Sequence, residues 1–92
     1  MQARKKEIVP MLTKYIEAAM RHAHYEILAD DGSIYSEIPE CQGVYANAGT
    51  LEGCREELAE VLEGWLLFRI HKNLALPNID GLELKVEKVV AV

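Results

Sequence analysis

Residues 23–48 read AHYEILADDGSIYSEIPECQGVYANA, and their period of about two decides the fold. Ala23, Tyr25 and Ile27 alternate with His24, Glu26 and Leu28, as successive side chains on a strand do. Asp30-Asp31-Gly32-Ser33 is a tight-turn signal, because Asp-Gly supplies the positive φ angles of a short hairpin. A second strand follows, with Ile34, Ser36 and Ile38 on one face and Tyr35 and Glu37 on the other. Pro39 closes it, Gly43 marks the next turn, and Val44–Ala48 supplies a third strand. The segment predicts an antiparallel meander of three strands.

Helices flank it. Thr50 is a good N-cap for a main helix from about Leu51 to Asn73. Leu51, Cys54, Leu58, Val61, Leu62, Trp65 and Leu66 share one side of that helix, and Glu52, Glu56, Glu57, Glu60 and Glu63 fill the other. Beyond Gly64 the second side turns apolar at Leu67 and Ile70, so these two are expected to meet the N-terminal helix or a second subunit. Upstream, residues 1–10 are charged and aperiodic and read as a flexible lead-in. Pro10 suits a first helical turn, and Met11 to about His22 form an amphipathic helix. Downstream, Leu76-Pro77 stops the main helix and Asn78–Gly81 makes a turn. Leu82, Leu84 and Val86 then alternate as a fourth strand, which apolar Val89–Val92 can extend. The order α-β-β-β-α-β implies an α+β domain over residues 11–92, with helices on one face of the sheet.

Charge narrows the function. The chain has 92 residues and a net charge of -5. Residues 26–64 hold ten acids and one base, Arg55, whereas residues 1–25 hold five bases and two acids. An acidic belt argues against a nucleic-acid surface, which must neutralise phosphates, and suits a basic protein partner. No apolar run approaches the ~18 residues of a membrane span. The basic start leads into no signal-peptide core, so a cytoplasmic protein with reduced Cys41 and Cys54 is expected.

Chemistry-bearing motifs are sparse. His22 and His24 with Cys41 or Cys54 could make a metal site, but no Cys-x-x-Cys or His-x-x-x-His pair supports one. No cofactor is expected. Cys54 lies on the apolar helix side and reads as core, while Cys41 sits beside a turn and reads as exposed. Asp30 and Asp31 are explained by turn chemistry, and the helix glutamates by amphipathicity. No phosphate loop, nucleophile elbow or dinucleotide fingerprint occurs, so no enzymatic activity is expected. Tyr25, Tyr35 and Tyr45 recur every ten residues, one per strand. They either pack across strands or form an aromatic protein-binding patch.

The pieces Tyr25-Glu26-Ile27-Leu28, Asp31-Gly32-Ser33, Glu37-Ile38-Pro39-Glu40-Cys41-Gln42-Gly43-Val44 and Ala46-Asn47-Ala48 come in a distinctive order. Thr50-Leu51-Glu52-Gly53-Cys54-Arg55-Glu56-Glu57-Leu58 and a Trp65-bearing helix follow. The ordered set, covering about residues 11–84, resembles the HicB family of bacterial antitoxins. Gly53, where that family usually has an acid, is a departure. The resemblance implies a partly RNase H-like fold without nuclease activity. It also implies a partner, a small basic HicA-type toxin that cleaves mRNA and whose RNA-cleaving site the antitoxin blocks. Asp30, Asp31, Tyr35, Glu37 and Glu40 are the expected toxin contacts, and Leu67 and Ile70 the expected contacts of a homodimer or higher homo-oligomer. A chain of this length has no room for the family's C-terminal DNA-binding domain, so direct nucleic-acid binding is not expected. The alternatives are a self-assembling regulatory or structural module without a toxin, and a metal-dependent RNase H-like nuclease.

Overall fold

The computed structural model describes residues 2–84, with side chains from residue 11 onward. Helix α1 spans Gln2–Arg21, strands β1, β2 and β3 span His24–Ile27, Ile34–Glu37 and Tyr45–Ala48, and helix α2 spans Leu51–His71. The strands form one antiparallel sheet in the order β1-β2-β3. Tyr25 stands opposite Ser36, which stands opposite Ala46, and Glu26 stands opposite Tyr35, which stands opposite Asn47. The meander is therefore as the alternation predicts, and the architecture is α+β.

Helix α2 covers one face of this sheet. Its Cys54, Leu58, Leu62 and Leu66 are buried, spaced so that they fall on one stripe. They meet Ile38, Val44 and Ala46 from the sheet side and Tyr15, Ala18 and Ala19 from α1. Fully burying each of the three leucines contributes roughly 1.5–3 kcal/mol. At the start of α2 the Thr50 hydroxyl accepts from the Gly53 N–H at 3.0 Å. A Cβ on Gly53 would stand 3.0 Å from that same hydroxyl and 3.7 Å from the Ala48 Cβ. A side chain there would require the Thr50 hydroxyl to give by a few tenths of an ångström. At the far end Asn73 adopts a left-handed φ of 57° and ends α2 two residues before the expected limit.

Several expectations are corrected. Residues 2–10 belong to α1, whereas the sequence reading made them an aperiodic lead-in and started the helix at Pro10. Ala3, Arg4, Lys5, Lys6 and Glu7 are strong helix formers, a preference that apolar periodicity does not register. The β1–β2 hairpin is wider than an Asp-Gly turn: Leu28 N–H donates to Ser33 O, Gly32 N–H donates to Leu28 O, and of the loop residues only Gly32 has positive φ. Cys41 is buried rather than exposed, as is Cys54, and both are free thiols. The expected fourth strand is reduced, among the described residues, to a bridge between Ile79 and Leu82, with Asp80 and Gly81 at positive φ in the turn. Val86 and Val89–Val92 lie outside the described residues.

The segment after α2 folds back on α1. Ile79 is buried in the core, and the Tyr15 hydroxyl donates to Pro77 O at 2.6 Å. Arg69 donates from Nε and Nη2 to Ala75 O, and its guanidinium lies 4.9 Å from the centroid of Trp65. The Trp65 indole N–H in turn holds Gln42 O at 3.0 Å, so α2 braces the β2–β3 loop. No helix among the described residues is long and apolar enough to cross a membrane.

Candidate protein-binding face

Alternation on three paired strands places two rows of side chains on the face that α2 leaves open. One row is Glu26, Tyr35 and Asn47; the other is His24, Glu37 and Tyr45. The opposite positions Ser36 and Ala46 are buried beneath α2. Tyr35 and Tyr45 lie diagonally across β2 and β3 and stack, with ring centroids 6.4 Å apart and planes inclined by 28°. The Tyr35 hydroxyl donates to the Glu37 carboxylate at 3.1 Å. Partial burial and then that carboxylate push the Tyr35 phenol above its ordinary range, so it stays a neutral donor. Asn47 donates from its amide nitrogen to Ser33 Oγ at 2.9 Å and to Ile34 O at 3.0 Å, tying the face to the hairpin. Tyr45 remains 59% exposed, a large aromatic surface with Glu37 beside it on β2.

The five residues singled out as contacts do not form one cluster. Tyr35 and Glu37 sit on the open face. Asp30 and Asp31 occupy the exposed hairpin tip, where Asp31 accepts from the Ser33 N–H at 2.9 Å. The Ser33 hydroxyl and then its backbone N–H hold the Asp31 carboxyl below the usual range, so the tip is anionic. Glu40 is elsewhere: its carboxylate binds His22 Nδ1 at 2.7 Å, while Asp80 binds His22 Nε2 at 2.7 Å. His22 therefore joins the end of α1, the β2–β3 loop and the C-terminal turn. Hydrogen bonds that the ring donates to Asp80, then to Glu40, raise its pKa above the ordinary value. With both nitrogens engaged and His24 on the open face, the two histidines do not converge with the buried cysteines. Among the described residues no group of three or more His, Cys, Asp or Glu side chains is arranged to hold a metal ion.

Sequence reasoning placed Tyr35 and Tyr45 together in an aromatic patch but missed His24, Glu26 and Asn47 as members of the face, although the strand register brings them there. It also grouped Tyr25 with the other tyrosines. Tyr25 instead pairs with Ser36 and so points to the helix side. Leu67 is 62% exposed on α2 and is not covered by α1, whereas half-buried Ile70 lines a groove with Leu74, Leu76 and Leu84.

The molecule is a small α+β domain whose open sheet face carries half-buried Tyr35 and exposed Tyr45 beside the carboxylates of Glu26 and Glu37. A family model described as UPF0150-like matches residues 14–77, and the chain belongs to that family. It is also similar in structure to TTHA0281 from Thermus thermophilus, with a TM-score of 0.79 and 36% sequence identity over 85% of this chain and 96% of that one. No curated protein matches the chain in sequence.

Proposed function

We propose that this protein is a HicB-like antitoxin that binds a small basic HicA-type toxin and shields its mRNA-cleaving site, without catalysis of its own. The observation supporting this reading most directly is the open sheet face, where stacked Tyr35 and Tyr45 stand among Glu26 and Glu37. Arginine and lysine on a toxin gain charge-assisted hydrogen bonds from the carboxylates and cation–π contact from the rings. The anionic hairpin tip extends the same field and steers a basic partner to it. UPF0150-like membership is consistent with an antitoxin role. The sheet-and-helix core is read as a partial RNase H-like fold, and the setting as the cytoplasm. Self-association belongs to the same reading, since Leu67 and Phe68 stand exposed on α2.

The test mixes this protein with the product of a neighbouring small basic reading frame. A complex at micromolar concentration, together with rescue of growth when both are expressed, is the expected result. Absence of both would remove the antitoxin reading.

A further inference from the structure

Strand β1 is an edge of the sheet, and all four of its residues are exposed. Leu28 N–H donates to Ser33 O at 2.8 Å, which fixes the phase of the β1–β2 ladder. His24, Glu26 and Leu28 therefore turn their backbone groups toward β2, and Tyr25 and Ile27 turn theirs outward. Among the described residues no strand pairs with that edge. The helix-side surface of β1 is uncovered too: Tyr25 is 37% exposed and Ile27 74%, the most exposed of the large apolar side chains described. Edges that must stay single usually carry lysine, proline or a bulge. His24–Ile27 has none of these, and its defences are only its four-residue length and the charge of Glu26.

We propose that β1 pairs antiparallel with β1 of a second copy, across a twofold axis at Tyr25. In that register each Tyr25 exchanges both backbone hydrogen bonds with its counterpart, and His24 of each copy stands opposite Glu26 of the other. Moving the axis one residue along would set Glu26 against itself. A four-residue strand alone buries too little, since stable interfaces bury about 1,200 Å² or more. The remainder comes from the helix side. There an open groove of about 490 Å³ between α1 and α2 has Ile16 and Met20 on its floor and Glu17, Arg21, Arg55 and Glu56 around it. Two acids and two bases leave the rim of the groove without net charge, so a second copy meets no net repulsion there. An axis perpendicular to the sheet keeps both helix layers on one side, and each copy then covers the other's Tyr25 and Ile27.

The test uses the full chain alone, so it does not depend on any toxin. Sedimentation should give a particle of two copies or a multiple of two. Ile27→Lys and Tyr25→Pro should each halve its mass with unchanged circular dichroism, since the proline removes only an outward N–H. His24→Glu and Glu26→Lys should each weaken association by roughly 2- to 30-fold, and combining them should restore it. Protection of the Tyr25 and Ile27 amides from hydrogen exchange should rise with protein concentration. A monomer at tens of micromolar would overturn the proposal. So would a mass halved by Leu67→Glu but not by Ile27→Lys, or a double variant no tighter than the single ones. Amide protection independent of concentration would assign the edge to another part of the same chain, and would overturn it equally.

Discussion

The Tyr15 hydroxyl donates to the Pro77 carbonyl at 2.6 Å, joining residues 62 positions apart. Tyr15 is buried, and burial pushes its phenol up to about 12, so it remains a neutral donor at any working pH. This one bond helps fasten the segment after α2 to α1. Tyr15→Phe keeps the ring and strands a carbonyl, and should cost about 1–2 kcal/mol. Urea unfolding should show the loss as a lower midpoint with an unchanged slope.

The His22 cluster sets a pH dependence. Its hydrogen bonds to Asp80 and Glu40 raise His22 above its ordinary 6.5, so the stability it contributes is complete below that value and is lost as pH rises through the folded pKa. His22 chiefly, by hydrogen bonding, lowers Glu40 below its ordinary 4.5, so that contribution is complete above 4.5 and is lost as pH falls through the lowered value. The cluster should therefore stabilise most between those two ordinary values. His22→Gln removes this contribution, so the wild type minus variant difference in denaturation midpoint should shrink as pH rises from 5 to 9. A difference that does not change with pH would contradict the assignment.

Toxin binding, on the proposed reading, should be lost from the open face without loss of fold. Glu37→Lys and Tyr45→Ala should each weaken the complex at least tenfold, about 1.4 kcal/mol. Their stabilities should stay within about 0.5 kcal/mol of wild type, since both side chains are exposed. Glu40→Gln should leave affinity unchanged, because that carboxylate is already taken by His22. Calorimetric titration separates the three variants.

Cys41 should be chemically silent in the native chain. Burial, then the nearby Glu40 charge, pushes its thiol up to about 11, leaving little thiolate at neutral pH. Labelling by a thiol-specific reagent at pH 8 should follow the rate of unfolding. A fast native phase at Cys41 would show that the β2–β3 loop opens locally.

The meander and the start of α2 were legible because they depend on local rules. Alternation placed the strands, and Thr50 marked the cap. The grouping of three tyrosines failed on parity: Tyr25 lies on the opposite side of the sheet from Tyr35 and Tyr45, and only the pairing of Tyr25 with Ser36 reveals it. The link from His22 to Glu40 and Asp80 spans 18 and 58 positions and arises from how α1 docks, for which no short-range pattern exists. The burial of Cys41 has the same origin, since nothing beside it in sequence announces the core it meets. The early start of α1 was written in propensity, where periodicity was being read.

The alternation of the sheet also divides labour between neighbouring residues. Ser36 and Ala46 hold the fold against α2, while Tyr35, Glu37, Tyr45 and Asn47, one position away, face outward. Changes on the outward set leave the packed set untouched. At exposed Glu37 and Tyr45 such a surface can be recoded toward a different partner without touching the core.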